Sequence, residues 1–324
     1  MEEGSEITLP ENTFTKTGYS FAGWATSADG NVSYSDKAKI SITGNITLYA
    51  KWTAITYTIT YEPNGGTNAD GNPASYTFET ETITLLAPSR QYFDFGGWYT
   101  DSEFSDSSKK TEITKGSTGN IMLYAKWTVA AENAVNAINS LPTGEHKIAV
   151  TGQMTKDNLN GVIAAIKGNS NGAKVYLDLG GITVDFYDWI KCSFKECENL
   201  IGIVIPSIEP PPDNESQYIL IPDLMFEGCK NLKSVIILNS SGEYKIITFK
   251  DCTSLEYVEI PTSIVCIYGD AFDGCTALET ITYKGKVEQW KQVKTDYKKE
   301  NYKLMSLNVQ CENGTASGSD LIKE

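Results

Sequence analysis

The side chains best suited to chemistry in this 324-residue chain are its seven cysteines, which could form disulfides, bind a metal or act as nucleophiles. Zinc sites and redox pairs commonly place two cysteines in a C-x-x-C unit, and the sequence contains no such unit. A Cys–His couple needs histidine, and the single histidine, His146, lies in a turn-like stretch. We therefore expect no metal site, no cofactor and no cysteine-based catalysis.

Other catalytic arrangements are also missing from the sequence. Neither H-E-x-x-H nor G-x-S-x-G occurs, and no glycine-rich phosphate loop separates a strand from a helix. Two Ala-Asp-Gly-Asn stretches, at 28–31 and 69–72, lack the later acidic ligands of a calcium loop and are interpreted as turns. A glycosidase-like carboxylate pair is the remaining alternative, although no segment singles one out. We expect a protein that is not an enzyme.

The charge balance argues against nucleic acid as a partner. The chain has 41 acidic and 27 basic residues, with a formal net charge of −14 and Arg90 as its single arginine. Phosphate contacts need clustered cations, which this composition does not supply. No apolar run approaches the ~18 residues of a membrane span, and residues 1–5 lack the basic and apolar regions of a leader. We expect no membrane insertion by this segment.

One pattern, Phe-x-x-Cys-x-x-Leu-x-x-(Val/Ile), is written four times between residues 194 and 283. The last three cysteines are spaced by 23 residues, and a proline-bearing insertion at 209–218 separates the first copy from the second. Because the cysteines take the same place in every copy, we favour free thiols, stacked as small apolar groups, over disulfides. The expected repeat core consists of Phe194, Cys197, Leu200, Phe226, Cys229, Leu232, Phe249, Cys252, Leu255, Phe272, Cys275 and Leu278.

A period in the low twenties with leucine-like spacing is typical of a solenoid in which each coil contributes one strand and buries its apolar face by stacking. The stretch 260–275, Ile-Pro-Thr-Ser-Ile-Val-Cys-Ile-Tyr-Gly-Asp-Ala-Phe-Asp-Gly-Cys, resembles the leucine-rich repeats of BspA-like proteins. The resemblance implies a bacterial cell-surface protein associated with adhesion to matrix proteins and other cells.

A second, unrelated repeat occupies residues 1–128. A Gly-Trp pair precedes a Leu-Tyr-Ala-Lys-Trp-Thr segment twice, with the segments at 48–53 and 123–128. This repeat resembles the Listeria–Bacteroides repeats, also called InlB B-repeats, which implies small modules of a β-grasp type. The second copy opens with a strand pattern at 57–61, which alternates β-forming residues. The first copy lacks that opening strand, so we expect the sequence to begin inside a module.

The tryptophans of these modules have two interpretations. Exposed indole rings can stack on sugar rings, whereas buried rings fill a small core. Their repeated positions favour core and interstrand packing over a carbohydrate platform. The four residues concerned are Trp24, Trp52, Trp98 and Trp127.

The expected architecture is multidomain and β-rich, with small β-grasp-like B-repeat modules followed by an α/β-capped leucine-rich-repeat solenoid. The N-terminal cap combines a helix at 130–141, a strand at 146–151 and a helix at 156–167 capped by Thr155. A lysine-rich amphipathic stretch at 287–304, with Trp290, Val293 and Tyr297, either closes the array or contacts a partner. The predicted divisions are a truncated module at 1–53, a module at 54–128, an α/β N-terminal cap at 129–172, the solenoid at 173–285, a C-terminal cap at 286–312 and a flexible tail at 313–324.

The repeat also predicts which residues face outward. Buried and exposed residues alternate along a strand, so equivalent exposed positions of successive coils form rows on the sheet face. Several of these positions are apolar, and an apolar patch rimmed by charge often marks an interaction site. The alternative is that a cap or the proline-bearing insertion covers the patch. The candidate ligand-binding residues are Val204, Ile236, Leu238, Tyr257, Glu259, Thr280 and Thr282.

Together these observations predict a non-enzymatic bacterial surface protein that binds proteins through the sheet face, with the B-repeats as a stalk. The expected partners are host extracellular-matrix or cell-surface proteins, or other bacterial surface proteins. The alternative is a structural spacer or assembly module of a larger surface protein, without a ligand of its own. Loss of binding on substitution of the sheet face would distinguish the two.

Overall fold

The computed structural model describes residues 5–210, 218–221, 225–246, 249–268, 270–295 and 302–323. The chain divides into two compact units. The first comprises Met1–Arg90 and Phe95–Lys126, and the second comprises Gln91–Asp94 and Trp127–Glu324.

Short strands make up the first part of the chain. They are β1 (Ser5–Thr8), β2 (Tyr19–Ala25), β3 (Lys39–Ile42), β4 (Tyr49–Ala54), β5 (Tyr57–Glu62), β6 (Ser75–Tyr76), β7 (Ile83–Thr84), β8 (Asp94–Tyr99), β9 (Lys109–Lys110), β10 (Glu112–Ile113) and β11 (Ile121–Ala130). Strand β11 passes through the predicted boundary between residues 128 and 129.

The two repeats of the first unit share one pairing scheme. In the first repeat β1 pairs with β3 and β2 pairs with β4, both antiparallel. In the second repeat β7 pairs with β10 and β8 pairs with β11. The second repeat adds β5, which runs parallel to β11, and β6, which is antiparallel to β5. Gly23 and Gly97, before the paired tryptophans, have positive φ angles of 141° and 127°, which explains the glycine at this position of each repeat.

Aromatic rings are packed within the repeats. Trp98 is 1% exposed and its indole Nε1 donates to the Leu86 carbonyl oxygen at 2.9 Å. Trp24 and Trp127 are buried, whereas Trp52 is half-buried, with its ring edge-to-face on Phe21 at 5.6 Å. Core packing is therefore confirmed for three of the four tryptophans.

The second unit mixes short helices with longer strands. After β11 its elements are α1 (Ala134–Asn139), β12 (Gly144–Met154), α2 (Lys156–Gly168), β13 (Ala173–Val184), α3 (Phe186–Trp189), β14 (Leu200–Ile205), β15 (Tyr218–Ile221), β16 (Ser234–Ile237), β17 (Glu243–Ile246), β18 (Tyr257–Ile260), β19 (Ile264–Ile267), β20 (Thr280–Tyr283), α4 (Val287–Trp290), β21 (Lys294–Thr295), α5 (Tyr302–Met305), β22 (Asn308–Cys311), β23 (Gly314–Ser317) and β24 (Ile322–Lys323).

Two parallel sheets organise the repeat region. The main sheet has the order β12–β13–β14–β16–β18–β20–β22, with β23 antiparallel at the end. The second sheet has the order β15–β17–β19–β21–β24. The sequence predicted one strand per coil, so the second sheet is a correction. Its strands have at most four residues and lie outside the Phe-x-x-Cys-x-x-Leu pattern that revealed the repeat.

Equivalent core residues of successive copies contact one another. All twelve predicted core residues are 0% exposed. The phenylalanine rings stack nearly parallel, with centroids 5.3 Å apart for Phe194 and Phe226, then 5.4 Å and 5.7 Å toward Phe272. Parallel pairing in register places each ring beside its counterpart, which makes this stack continuous.

The cysteines form a matching row, the cysteine ladder, consisting of Cys197, Cys229, Cys252 and Cys275. From the second copy onward each Sγ lies 2.9–3.1 Å from the carbonyl oxygen of the phenylalanine one copy earlier. A thiol is small enough for the core and supplies a weak donor to a buried carbonyl. This role explains the cysteine in the second, third and fourth copies.

The segment before the repeats matches its prediction in part. Helix α2 begins after Thr155, whose hydroxyl oxygen accepts from the Asn158 backbone N–H at 3.2 Å, and the predicted helix at 156–167 is confirmed. The helix predicted at 130–141 is shorter, because β11 continues to Ala130 and a 3₁₀ turn occupies Ala131–Asn133. Both helices contribute side chains to the same apolar core as the repeats.

The end of the chain corrects one prediction. Within the amphipathic stretch 287–304, α4 and β21 lie at the start and α5 begins near the end, while Tyr297 lies outside the described residues. The flexible tail predicted at 313–324 is wrong for residues 313–323, because β23 pairs with β22 and β24 joins the second sheet. The Trp290 indole Nε1 donates to the Ser317 carbonyl oxygen at 3.0 Å, which ties α4 to this segment.

The cysteine ladder predicts unreactive thiols in the folded protein. Burial raises the pKa of Cys229 and Cys275 to about 12 and also raises the pKa of Cys252. Since the thiolate is the reactive form, iodoacetamide at pH 8 should leave all three unmodified in the native state and modify them after unfolding in guanidinium. Mass spectrometry of the labelled peptides measures both states. Stoichiometric labelling of Cys252 in the folded chain would contradict the buried ladder.

The phenylalanine stack predicts a large loss of stability when an inner ring is removed. Phe249→Ala leaves a cavity between Phe226 and Phe272 and should cost about 3–5 kcal/mol in the free energy of unfolding of the second unit. Tyr187→Ala, at a 43% exposed aromatic position of the same unit, should cost less than about 1 kcal/mol. Urea denaturation of both variants measures the loss in the free energy of unfolding. Equal losses would show that the phenylalanine stack contributes no more to stability than an exposed aromatic residue.

Candidate functional site

The outward side of the main sheet, hereafter the sheet face, brings the predicted candidate residues together. Residues in register across the strands form two rows. The first row is Lys147, Tyr176, Gly202, Ser234, Tyr257, Thr280 and Asn308. The second row is Ala149, Asp178, Val204, Ile236, Glu259, Thr282 and Gln310.

A hydrogen-bonded group fixes the centre of the sheet face. The Tyr257 hydroxyl donates to Glu259 Oε2 at 2.8 Å, and Lys284 Nζ lies 3.0 Å from the same oxygen. The Glu259 side chain is only 17% exposed, whereas Lys284 is 55% exposed. The bond to Glu259 raises the pKa of Lys284, and burial together with its own bond to Glu259 raises the pKa of Tyr257. The phenol of Tyr257 therefore stays neutral and oriented while its ring remains 38% exposed.

A second tyrosine lies on the sheet face. The half-buried ring of Tyr176 covers Gly202 so closely that any Cβ at Gly202 would overlap it. Burial raises the pKa of the Tyr176 phenol, and Lys147 Nζ lies 5.2 Å from its ring centroid. Tyr176 is not among the candidate residues predicted from the sequence. The alternation of residues 174–179 contained the signal, because it places Tyr176 on the same side of its strand as the candidate rows.

The apolar part of the sheet face is smaller than predicted. Val204 was predicted to be exposed, and this prediction is wrong because the residue is only 8% exposed. It lies between Asp178 and Ile236 in its row, and its side chain is close to Gly180. Ile236 and Leu238 are half-buried. Thr280 is exposed and Thr282 half-buried. Residues 211–217 of the insertion that could cover this region lie outside the described residues.

Three other features of the described residues concern metal binding, the environment of the histidine and membrane-spanning helices. Nowhere in these ranges do three or more His, Cys, Asp or Glu side chains converge in a way that could hold a metal ion. His146 is half-buried on β12, with Nε2 2.9 Å from the Pro142 carbonyl oxygen. Helices of membrane-spanning length and apolarity are not found in the described part of the chain.

The sheet face offers two tyrosine rings, two half-buried aliphatic side chains and one ion pair whose carboxylate is mostly buried. Tyrosine supplies a large contact area at low conformational cost, and charged neighbours orient a partner.

Two known families match most of the chain in separate stretches. The Listeria-Bacteroides repeat domain matches residues 1–51 and 57–126. The BspA type leucine rich repeat region matches residues 190–310 in six copies, where the Phe-x-x-Cys-x-x-Leu pattern yields four. The motif finds fewer copies because a repeat can lack the Phe-x-x-Cys segment. Strand β22, for example, extends the main sheet without one.

Individual relatives share parts of the chain. A protein of Evansella cellulosilytica that is named as a Gly-rich membrane protein is 36% identical over 128 residues, 39% of this chain and 14% of that protein. Internalin H of Listeria monocytogenes is 29% identical over 131 residues, 40% of this chain and 23% of that protein. A leucine rich cell surface protein from Faecalibacterium prausnitzii, of known structure, is 26% identical, with coverage of 47% of this chain and 35% of that chain and a TM-score of 0.30.

The chain spans less than a quarter of the length of the curated relatives that it matches. Both matched families are repeat families of surface proteins, and the two matches do not overlap. The chain thus carries BspA-type leucine-rich repeats over residues 190–310, preceded by Listeria–Bacteroides repeats at residues 1–51 and 57–126.

Proposed function

We propose that this chain is a non-enzymatic bacterial cell-surface protein that binds other proteins through the sheet face. The observation that carries the proposal is the exposed, oriented ring of Tyr257 beside the half-buried Ile236. The family matches support it, because leucine-rich repeats and internalin-like proteins generally mediate protein–protein interaction. In this role the chain acts as an adhesin whose partners are extracellular-matrix or cell-surface proteins.

The remaining parts of the chain have supporting roles in the proposal. We infer that the two parallel sheets wind as a leucine-rich-repeat solenoid over residues 173–285. Residues 129–172 and 286–312 cover its ends, because a terminal coil would otherwise expose an apolar face. The modules at 1–53 and 54–128 serve as a stalk.

The charged residues on the sheet face determine which charges a partner surface must carry. Asp178 and the Glu259–Lys284 pair surround the aliphatic side chains, so a partner must match both signs within a small area. Such pairs contribute mainly to specificity and association rate, while the buried aromatic contact contributes most of the affinity. The formal net charge of −14 favours partners with basic surfaces.

Binding by the whole chain to purified matrix proteins at physiological salt tests the proposal. For a matrix protein that binds saturably, Tyr257→Ala should weaken binding by about 2 kcal/mol, roughly thirtyfold in Kd, because the ring is lost from the centre of the contact. Ile236→Asp should abolish it by placing a second carboxylate beside Glu259. Surface plasmon resonance gives the affinities, and thermal unfolding checks that each variant is folded.

Two controls separate the sheet face from the rest of the surface. Tyr187→Ala removes a tyrosine of similar exposure on α3 and should leave Kd unchanged. Tyr257→Phe keeps the ring but removes the bond to Glu259, so it should cost no more than about 1 kcal/mol. Unchanged binding in both Tyr257→Ala and Ile236→Asp would remove the sheet face as the site. Failure of the folded chain to bind any matrix protein would favour a spacer or assembly module instead.

A further inference from the structure

Four asparagines in the chain are each followed by a glycine: Asn64, Asn160, Asn171 and Asn313. Asparagine is a thermolabile residue, because the backbone nitrogen of the next residue can attack its side-chain amide carbon. Glycine favours this attack, since it has no Cβ to hinder the approach and its backbone is freely variable. The reaction in a folded chain therefore depends on whether other groups hold the side-chain amide and the following nitrogen.

Two of these pairs are held by hydrogen bonds to or within the backbone. Asn64 Nδ2 donates to the Ala125 carbonyl oxygen at 2.7 Å. Asn160 lies inside helix α2, where the N–H of Gly161 belongs to the backbone hydrogen-bond pattern of the helix. Each of these asparagines can react only after a local opening of the structure around it.

The side-chain amide of Asn313 is held at both of its polar atoms. Its Oδ1 accepts from the Val287 backbone N–H at 2.9 Å, and its Nδ2 donates to Glu288 Oε2 at 3.2 Å. Gly314, which follows it, is the first residue of β23. Asn313 is solvent-exposed, so its protection depends on these hydrogen bonds and not on burial.

The fourth pair, Asn171–Gly172, lies in the exposed loop between α2 and β13. The side-chain amide of Asn171 is not hydrogen-bonded to any residue that the structure describes, and the N–H of Gly172 has no acceptor among those residues either. The loop is instead held by Asn169, whose Oδ1 accepts from the N–H groups of Asn171 at 3.0 Å and Ala173 at 3.3 Å. Both reacting groups are therefore open to solvent and to each other.

We propose that Asn171 is a site of spontaneous deamidation, in which water is the only co-reactant. The Gly172 nitrogen forms a bond to Cγ of Asn171, the Cγ–Nδ2 bond breaks, and ammonia leaves with the proton that the Gly172 nitrogen loses. Water then opens the cyclic imide at one of its two carbonyl carbons. The products are aspartate and isoaspartate, and no oxidant or reductant is consumed.

The modification changes a loop that supports the start of β13. Isoaspartate routes the main chain through the side-chain carbon, which lengthens the backbone between Asn169 and Ala173. The Thr143 hydroxyl donates to the Asn171 carbonyl oxygen, and the Gly144 N–H donates to the Gly172 carbonyl oxygen at 3.4 Å. These contacts cannot all survive the added backbone atom. We therefore expect faster amide hydrogen exchange at Ala173 in the modified chain.

The test follows all four pairs in one sample of the folded, whole chain kept at pH 8. Brief trypsin digestion separates them, because cleavage after lysine and arginine releases residues 52–90, 157–167, 168–174 and 304–323. Mass spectrometry measures the conversion of each peptide, and isoaspartate methyltransferase detects the isoaspartate product. The peptide 168–174 should convert at least about tenfold faster than the other three, because they must first lose a hydrogen bond or open locally.

The unfolded chain and one variant provide the controls. In guanidinium all four pairs should convert at similar rates, which would show that the fold causes the difference. Asn171→Gln should leave peptide 168–174 unmodified, because glutamine does not close the same five-membered imide. The proposal is overturned if 168–174 converts no faster than 157–167 in the folded chain. Conversion of 168–174 in the Asn171→Gln variant would also overturn it, since Asn169 would then be the reactive residue.

Discussion

The second unit depends on keeping equivalent residues of successive repeats in register. The repeat strands β14, β16, β18 and β20 are each parallel to the next, so a phenylalanine lies beside a phenylalanine and a cysteine follows a cysteine. One repeat has no apolar partner of its own for these side chains; its core exists only because a neighbour supplies the other half. The thiol-to-carbonyl contacts add a directional element to this stacking, since each one crosses from one repeat to the preceding one. A shift of one residue in any strand would turn its buried side chains outward and break both rows.

The same register aligns the residues of the proposed binding surface. Because the inward positions are fixed by the core, the outward positions align without any further requirement, and their residue types are free to vary from strand to strand. Tyr176, Ser234 and Tyr257 share one row although they come from separate parts of the sequence. Glu259 illustrates this variation: it accepts a hydrogen bond from the tyrosine on its own strand and pairs with Lys284, which directly follows the next strand. The sheet provides position, and a few polar contacts provide orientation.

Sequence reasoning predicted what the repeat pattern and local rules determine. The repeat core, helix α2 with its Thr155 cap, and the outward direction of Tyr257 all follow from periodicity and capping. The burial of Val204 did not follow, because it depends on its row neighbours Asp178 and Ile236 and on the close approach of Gly180, which no repeat pattern describes. The second sheet and the pairing of residues 314–317 were also missed, since very short strands acquire their structure from tertiary contacts and not from local propensity.

The cysteine ladder also has a mechanical consequence. All seven cysteines are thiols, so no disulfide cross-links one repeat to the next. Under tension the main sheet can lose its outermost strand without disturbing the strands behind it, because each repeat contacts only its neighbours. With a period of 23 residues, each such step would release about 80 Å of extended chain. A force–extension trace with steps of that size would show that the repeats yield singly and re-form when the load falls, whereas one large step would show that they yield together.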